Sequence, residues 1–193
     1  MDVFLKLEIT YILFYIITFL WIGEFLFFPS KYKSKDYSEK NSFIKILITI
    51  IATILLTIIF TYFGLFQIRG IFGSVLHYIG ITLYIIGICF RYVSTIYLGK
   101  YFTREVNINK DQELISNGPY KFLRHPLYLG LFLLTIAVPI FFQNIVTIVF
   151  SIIFMSLAIK NRMVLEETNM EKILGEKYID WKNKRYRFIP FIY

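Results

Sequence analysis

Cysteine and histidine are scarce in this sequence. Cys89 is the only cysteine, so an internal disulfide and a metal site built on cysteines are both excluded. The two histidines, His77 and His125, leave little from which a histidine-centred metal site could be built. We therefore expect no metal ion, and the sequence gives no indication of the redox conditions in which the chain works.

Charged residues are also few. They make up 18% of the 193 residues, against about 25% in an ordinary soluble protein. Hydrophobic residues make up 57% and the mean hydropathy is +0.62, which indicates a membrane protein. The net charge of +8 does not predict a nucleic-acid partner, because the cations lie beside apolar runs, where cytoplasmic membrane flanks and anionic lipid explain them.

No linker divides the chain. There is no repeat, no low-complexity tract and no stretch rich in proline and serine, so we expect a single membrane domain over residues 1–193. Within it, residues 1–70 would hold the first two spans, and residues 71–193 the third span and the catalytic region. The N-terminus has acidic residues and only one lysine before its apolar run, and no small-residue cleavage site follows. We therefore interpret it as a retained first span and not as a signal peptide.

Four apolar runs predict the architecture, an all-α membrane protein. Residues 4–28, 43–66 and 71–98 are each long enough to cross a hydrocarbon core of about 30 Å. Residues 127–159 would form a helix of about 50 Å at 1.5 Å per residue, which is too long for one span. The polar pair Gln143-Asn144 offers a turn, so this run should form a tight helical hairpin, which gives five transmembrane helices.

The distribution of lysine and arginine supports the same count. Basic residues concentrate in the loop at 29–43, in the segment 99–126 and in the tail after residue 159, whereas the other two turns hold one arginine between them. Because cytoplasmic loops carry the excess of lysine and arginine, five spans with the N-terminus outside and the C-terminus cytoplasmic place every basic segment inside. The cytoplasmic face would then carry the site.

Ionisable residues within the apolar runs are functional candidates. Glu24 and Arg91 lie near the cytoplasmic ends of the first and third spans, at similar depth. They could pair with each other, but snorkelling of each side chain to the interface is the favoured interpretation. His77 is expected to be a core or interface residue and not a ligand.

Turn-forming residues and cations gather in front of the fourth apolar run. Asn117-Gly118-Pro119 predicts a turn, with Gly118 free to take positive φ. Pro126 suits the first position of a helix, which places His125 at the N-cap. The free amides around Leu127 and Tyr128, with Arg124 beside them, would form an anion site. A plain interfacial anchor explains the same residues, and by itself the pattern slightly favours that anchor.

The tail after the last span offers an arginine and an acid on one helix face. Arg162 and Glu166 are four residues apart, whereas Glu167 and Glu171 lie more to one side. Arg162 and Glu166 would face the same pocket as Arg124 and His125. A simple surface pair is the alternative, and for this motif alone it is the favoured one.

Three separated blocks of the chain resemble the isoprenylcysteine carboxyl methyltransferase family, which belongs with the membrane-embedded phospholipid methyltransferases. The blocks are "LGKYFTREV", "LISNGPYKFLRHPLYLG" and "EETNMEKILGEKYIDWKNKRYRFIP". They cover roughly residues 85–190 and occur in the family's order. The resemblance implies a helical membrane enzyme that uses S-adenosyl-L-methionine without a soluble nucleotide-binding domain.

The resemblance also implies roles for individual residues. Arg162 would face the methyl acceptor and is the catalytic candidate. The expected cofactor-binding residues are Gln112, Glu113, Leu114, Ile115, Tyr120, Arg124, His125, Pro126, Leu127, Tyr128 and Glu166. Arg124 enters this set from its place beside the helix start, and Gln112 stands where the family often has histidine. No metal ligand is implied.

The methyl acceptor is left open by the sequence. A carboxylate needs no general base and suits Arg162, so the carboxylate of an isoprenylcysteine-like or other lipidic molecule is favoured. A phospholipid amine would need a proton acceptor, for which Glu167 or Tyr128 could serve. A non-catalytic lipid-binding scaffold of the same fold is a further alternative. A sterol-type reductase that uses NADPH is disfavoured by the short cytoplasmic segment.

Overall fold

The computed structural model describes residues 3–27, 37–102 and 113–189 of the chain, and the regular elements within them are helical. The six α-helices are α1 (Val3–Phe27), α2 (Tyr37–Tyr62), α3 (Gly70–Leu98), α4 (Pro126–Phe141), α5 (Ile145–Leu174) and α6 (Glu176–Lys182). Two short 3-10 helices lie between α3 and α4, at Gly99–Tyr101 and Gly118–Lys121.

The helices have the length and composition of a membrane protein. In the described part of the chain, α2, α3 and α5 are long and apolar enough to cross a membrane, and α4 is a shorter apolar helix. Many of their large apolar side chains are exposed, as expected of surfaces that face lipid. The prediction of an all-α membrane protein is confirmed, and the count of five spans stays a prediction.

The last long apolar run is divided between two helices. α4 ends at Phe141 and α5 begins at Ile145, with Gln143 and Asn144 between them. Asn144 caps α5, because its side chain accepts a hydrogen bond from the Thr147 amide at 3.1 Å. The same side chain donates to the Leu65 carbonyl at 2.8 Å. This turn is therefore tied to the turn that follows α2.

Glycines bring α3 and α4 into close contact. A Cβ atom at Gly80 would lie 2.4 Å from the Phe141 nitrogen, and one at Gly87 would lie 2.9 Å from the Leu134 nitrogen. From the other side, a Cβ atom at Gly130 would lie 2.9 Å from the Arg91 nitrogen. Close backbone approach at small residues is how helices pack in membranes. The α3–α4 contact is accordingly the most extensive between helices in the described residues.

Glu24 and Arg91 form a buried ion pair, so the favoured prediction that both snorkel to the interface was wrong. Arg91 Nε donates to Glu24 Oε2 at 2.9 Å, and Arg91 Nη2 donates to Glu24 Oε1. Glu24 is fully buried. A charge held away from water is stable only when it is paired, so the bidentate contact outweighs snorkelling here. The pair fixes α1 to α3.

His77 is a core residue, as predicted. It is 1% exposed. Its Nε2 lies 2.6 Å from Thr10 Oγ1, and its Nδ1 lies 3.2 Å from the Phe141 carbonyl. The imidazole thus joins α1, α3 and the end of α4.

Glu24→Leu should lower the free energy of unfolding by about 3–5 kcal/mol, because it leaves Arg91 buried without its carboxylate. Glu8→Leu, on an exposed position of the same helix, is the matched control and should have little effect. The double variant Glu24→Leu/Arg91→Leu should recover much of the loss. Thermal unfolding in detergent micelles measures all three, and equal unfolding temperatures for Glu24→Leu and Glu8→Leu would contradict the assignment.

Candidate active site

The start of α4 forms one wall of the candidate site. Gly118 has φ +57° and opens the 3-10 helix, and a Cβ atom there would lie 2.5 Å from the Tyr97 ring. The positive φ favours glycine at this position, and any larger residue would also have to displace the Tyr97 ring. Pro126 is the first residue of α4 and His125 is its N-cap, as predicted. His125 is buried.

Tyr128 connects the two residues that the sequence places on one face of α5. Its hydroxyl donates to Glu166 Oε2 at 2.7 Å and accepts from Arg162 Nε at 3.3 Å. Arg162 is 2% exposed and Tyr128 is half-buried. The predicted convergence of α4 and α5 residues is therefore present, and the Tyr128 hydroxyl is its centre. The surface pair that the Arg162 and Glu166 motif alone favoured is not what the structure shows.

Glu167 is bound by three side chains, the imidazole of His125 and the guanidinium groups of Arg124 and Arg187. His125 Nε2 donates to Glu167 Oε1 at 2.9 Å, since an ionised carboxylate can only accept. Arg124 Nη1 donates to the same oxygen at 3.3 Å. Arg187 Nη2 lies 3.2 Å from Glu167 Oε2. Sequence reasoning gave Glu167 only a provisional role as proton acceptor, whereas the structure makes it the point where α4, α5 and the C-terminal segment meet.

The segment after α5 encloses the other side of the site. Trp181 Nε1 donates to the Ile115 carbonyl at 3.2 Å and to Ser116 Oγ at 3.0 Å. The Arg185 guanidinium lies 4.4 Å from the centre of the Trp181 ring, and its Nε donates to the Tyr120 carbonyl at 2.7 Å. These contacts hold residues 113–121 against the C-terminal segment.

The Tyr120 hydroxyl is buried without a hydrogen-bond partner in the described residues. Tyr120 is 5% exposed and borders a large cavity. Burial raises the pKa of Tyr120 well above its ordinary value, the charge of Glu166 raises it further, and Arg91 lowers it to a smaller extent. The hydroxyl is therefore neutral at physiological pH. A buried polar atom of this kind calls for a ligand or water as its partner.

A cavity of about 560 Å³ joins these residues. Nearly all the predicted site residues in the described part of the chain line it: Glu113, Leu114, Ile115, Tyr120, Arg124, His125, Leu127, Tyr128, Arg162 and Glu166. Pro126 starts α4 beside the cavity without lining it. Gln112 lies outside the described residues.

The cavity extends from this polar end into an apolar arm between α1 and α2. The arm is bordered by Phe14 and Trp21 on α1 and by Ile46, Ile50 and Ile54 on α2, with α4 closing its third side. α1 packs against α3, whereas α2 packs against α5 and α4. The two helices are thus held by different partners and leave the arm between them.

Sequence reasoning assigned no site role to α1 or α2. The structure places Glu39 and Ser42, at the start of α2, against Arg162. The polar stretch "SEKNS" at 38–42 is typical of a charged loop and the start of a helix. No local pattern therefore marks Glu39 and Ser42 as site residues. The regular spacing of Gly73, Gly80 and Gly87 could have indicated the face of α3 that receives α4.

The family model for isoprenylcysteine carboxyl methyltransferase matches residues 79–172, from α3 to near the end of α5. That interval contains most of the polar end of the cavity. Over residues 79–172 the chain is similar to the isoprenylcysteine carboxyl methyltransferase family. The resemblance predicted from the three sequence blocks is therefore confirmed over this interval.

Relatives from plants, fungi and animals bear matching names. A probable protein-S-isoprenylcysteine O-methyltransferase of Oryza sativa subsp. indica is 27% identical over 60% of this chain and 61% of its own length. The Saccharomyces cerevisiae protein-S-isoprenylcysteine O-methyltransferase is 30% identical over 59% of this chain and 48% of its own. The Rattus norvegicus protein-S-isoprenylcysteine O-methyltransferase is 29% identical over 58% of this chain and 40% of its own length. The chain thus spans between two fifths and three fifths of these relatives.

A solved structure has the same fold. It is the eukaryotic intramembrane Ras methyltransferase ICMT (isoprenylcysteine carboxyl methyltransferase) without a monobody, with a TM-score of 0.64 and 23% sequence identity. The match covers 88% of this chain and 60% of that one. The similarity in fold therefore extends well beyond residues 79–172.

Glu167→Gln should lower the free energy of unfolding by about 2–3 kcal/mol, because hydrogen bonds from charged donors lose their ionised acceptor. Glu171→Gln is the matched control on the same helix. Glu171 pairs with Lys182 and is partly exposed, so its loss should cost less than about 1 kcal/mol. Thermal unfolding of both variants tests the difference, and similar losses would contradict the proposed importance of Glu167.

Proposed function

We propose that this protein is a membrane methyltransferase that uses S-adenosyl-L-methionine to esterify the carboxylate of an S-isoprenylcysteine or a lipid of similar form. One observation supports this above the others. One cavity joins a polar end to an apolar arm within the membrane helices. The polar end holds the Arg162–Tyr128–Glu166 cluster and a Tyr120 hydroxyl that has no hydrogen-bond partner among the described residues. A polar cofactor and a lipophilic acceptor would meet where these two parts join.

The residues at the polar end fit this cofactor. The Tyr120 hydroxyl, which borders the cavity, supplies a hydrogen-bonding group for it. Residues 113–115 and Trp181 offer backbone and an aromatic face for an adenosine, and Glu166 offers a negative charge for a cationic group. The amides of the first turn of α4 would receive a carboxylate. Arg124 borders this end, although its guanidinium is bound to Glu167 and to the Arg185 carbonyl.

The acceptor's head group would be held by Arg162. The cofactor supplies an electrophilic methyl group on a sulfonium, and a carboxylate oxygen is already ionised at pH 7, so no general base is needed. The enzyme's tasks are alignment and exclusion of water, and orientation alone contributes about 7–11 kcal/mol in favourable cases. A cationic amine beside buried Arg162 would be repelled, so a carboxylate is the better acceptor.

The apolar arm would hold the acceptor's lipid chain. On α2 the lining runs from Phe43 to Ile58, which corresponds to about 22 Å at 1.5 Å per residue. This length suits a long hydrocarbon or isoprenoid chain. The arm's place among the membrane helices would let such an acceptor enter from the bilayer.

The distribution of basic residues supports a cytoplasmic location for the polar end, with the N-terminus outside and five spans. The cofactor would then enter from the cytoplasm, and the acceptor would enter from the membrane.

Glu166→Ala should abolish binding of S-adenosylhomocysteine, and Tyr120→Phe should weaken it about tenfold, because each removes a polar contact inside a buried site. Tyr78→Phe is the control, since Tyr78 is exposed on α3 and does not line the cavity. Calorimetric titration of the detergent-solubilised protein gives the three dissociation constants. Wild-type affinity in Glu166→Ala would refute the proposed site.

Ile54→Trp should raise the KM for an S-isoprenyl N-acetylcysteine at least tenfold while leaving the dissociation constant of S-adenosylhomocysteine unchanged, because it fills the apolar arm and leaves the polar end intact. The control is Leu55→Trp, whose exposed side chain lies outside the cavity lining. Methyl transfer is followed with labelled S-adenosylmethionine, and a phospholipid amine is assayed alongside. Faster methylation of the amine than of the carboxylate would overturn the proposed acceptor.

A further inference from the structure

The first turns of α2 hold one end of the Arg162 side chain. Arg162 Nη1 donates to the Glu39 carbonyl at 2.9 Å and to Ser42 Oγ at 2.8 Å. Ser42 Oγ in turn donates to the Glu39 carbonyl at 2.7 Å. Because the single proton of the serine hydroxyl is committed to that carbonyl, its lone pairs remain for the arginine.

The opposite edge of the guanidinium is held by α4. Arg162 Nε donates to the Tyr128 hydroxyl at 3.3 Å, and that hydroxyl is itself oriented by donating to Glu166. A planar guanidinium that is held at both Nε and Nη1 cannot rotate about its axis. Its plane is therefore fixed jointly by α2 and α4.

A second contact keeps α2 in place on α5. Asn169 Nδ2 donates to Glu39 Oε1 at 3.0 Å. Asn169 follows Arg162 by seven residues, so both lie on the same face of α5, two turns apart. Glu39 and Ser42 are each 6% exposed. The start of α2 is thus attached to α5 at two points, a buried one at Arg162 and a partly buried one at Asn169.

We propose that Ser42, with the Glu39 carbonyl, positions Arg162 to select a carboxylate head group. This inference rests on the proposed function, because it takes Arg162 as the group that receives the acceptor. α2 then has two tasks, since the helix that lines the apolar arm also sets the plane of the arginine at the arm's polar end. Ser42 acts through Arg162 and is a positioning residue.

The test compares two ligands that share an isoprenoid tail. One is an S-isoprenyl N-acetylcysteine, and the other is the same molecule with its carboxylate replaced by a primary amide, used as a competitive inhibitor. In Ser42→Ala, the KM for the carboxylate should rise about tenfold, while the inhibition constant of the amide and the dissociation constant of S-adenosylhomocysteine should change less than twofold. Ser42→Thr keeps the hydroxyl and should retain the preference for carboxylate.

Thr49→Val is the matched control. It also removes one buried hydroxyl from α2, and this hydroxyl donates to the Lys45 carbonyl of its own helix at 2.8 Å. It should leave all three constants unchanged. A merely structural role of Ser42 would weaken the carboxylate and the amide equally, and that result overturns the inference.

The inference and the proposed function fail in different ways. If the wild-type protein binds S-adenosylhomocysteine and methylates the carboxylate, but Ser42→Ala has wild-type constants for it, only the positioning role is refuted. If the wild-type protein does neither, the proposed function is refuted, and the positioning role with it.

Discussion

The close approach of α3 and α4 is the constraint on which the rest of the structure depends. Glycines on both helices leave no room for a Cβ atom between the backbones, so the register of the two helices is fixed within a fraction of a turn. This register places Arg91 beside the start of α4, where its Nη1 lies 3.4 Å from the Leu127 carbonyl. The polar beginning of α4 is therefore tied to a buried charge on α3.

That buried charge extends the constraint to α1 and to the cavity. Arg91 borders the cavity while its guanidinium is paired with Glu24. Replacing both by apolar residues of similar volume could be nearly neutral for stability, so stability alone does not explain the pair. The ion pair does fix the position of α1 along α3. This matters for the cavity because α1 forms one side of the apolar arm. The ion pair thus helps to position this wall, together with the hydrogen bonds between Thr10 and His77 and between Thr18 and Tyr84.

The parts of the site that could be predicted are those with local signals or with a family resemblance. Pro126 and His125 define the start of α4 through backbone chemistry of neighbouring residues, so the helix boundary followed from the sequence. The convergence of Tyr128 with Glu166 came from the resemblance. Ser42 lies 120 positions from Arg162 in the chain, and nothing around residue 42 indicates such a contact. Contacts of that kind depend on helix register, which a single sequence does not specify.

The polar end and the apolar arm of the cavity are enclosed by different kinds of contact. This difference affects how a polar cofactor and a lipid acceptor could each enter. The polar end is closed by contacts among α4, α5 and the C-terminal segment, with Glu167 and Trp181 at their centres. The apolar arm lies between α1 and α2, which are held by different neighbours. Opening the polar end would break the hydrogen bonds of Glu167 and Trp181, whereas in the described residues α1 packs mainly on α3, and α2 on α5 and α4. Arg162 stands at the junction and is fixed by α2 as well as by α4. A lipid chain that displaced α2 would therefore also alter the group expected to receive its carboxylate, so fit of the chain and orientation of the head group are coupled through one helix.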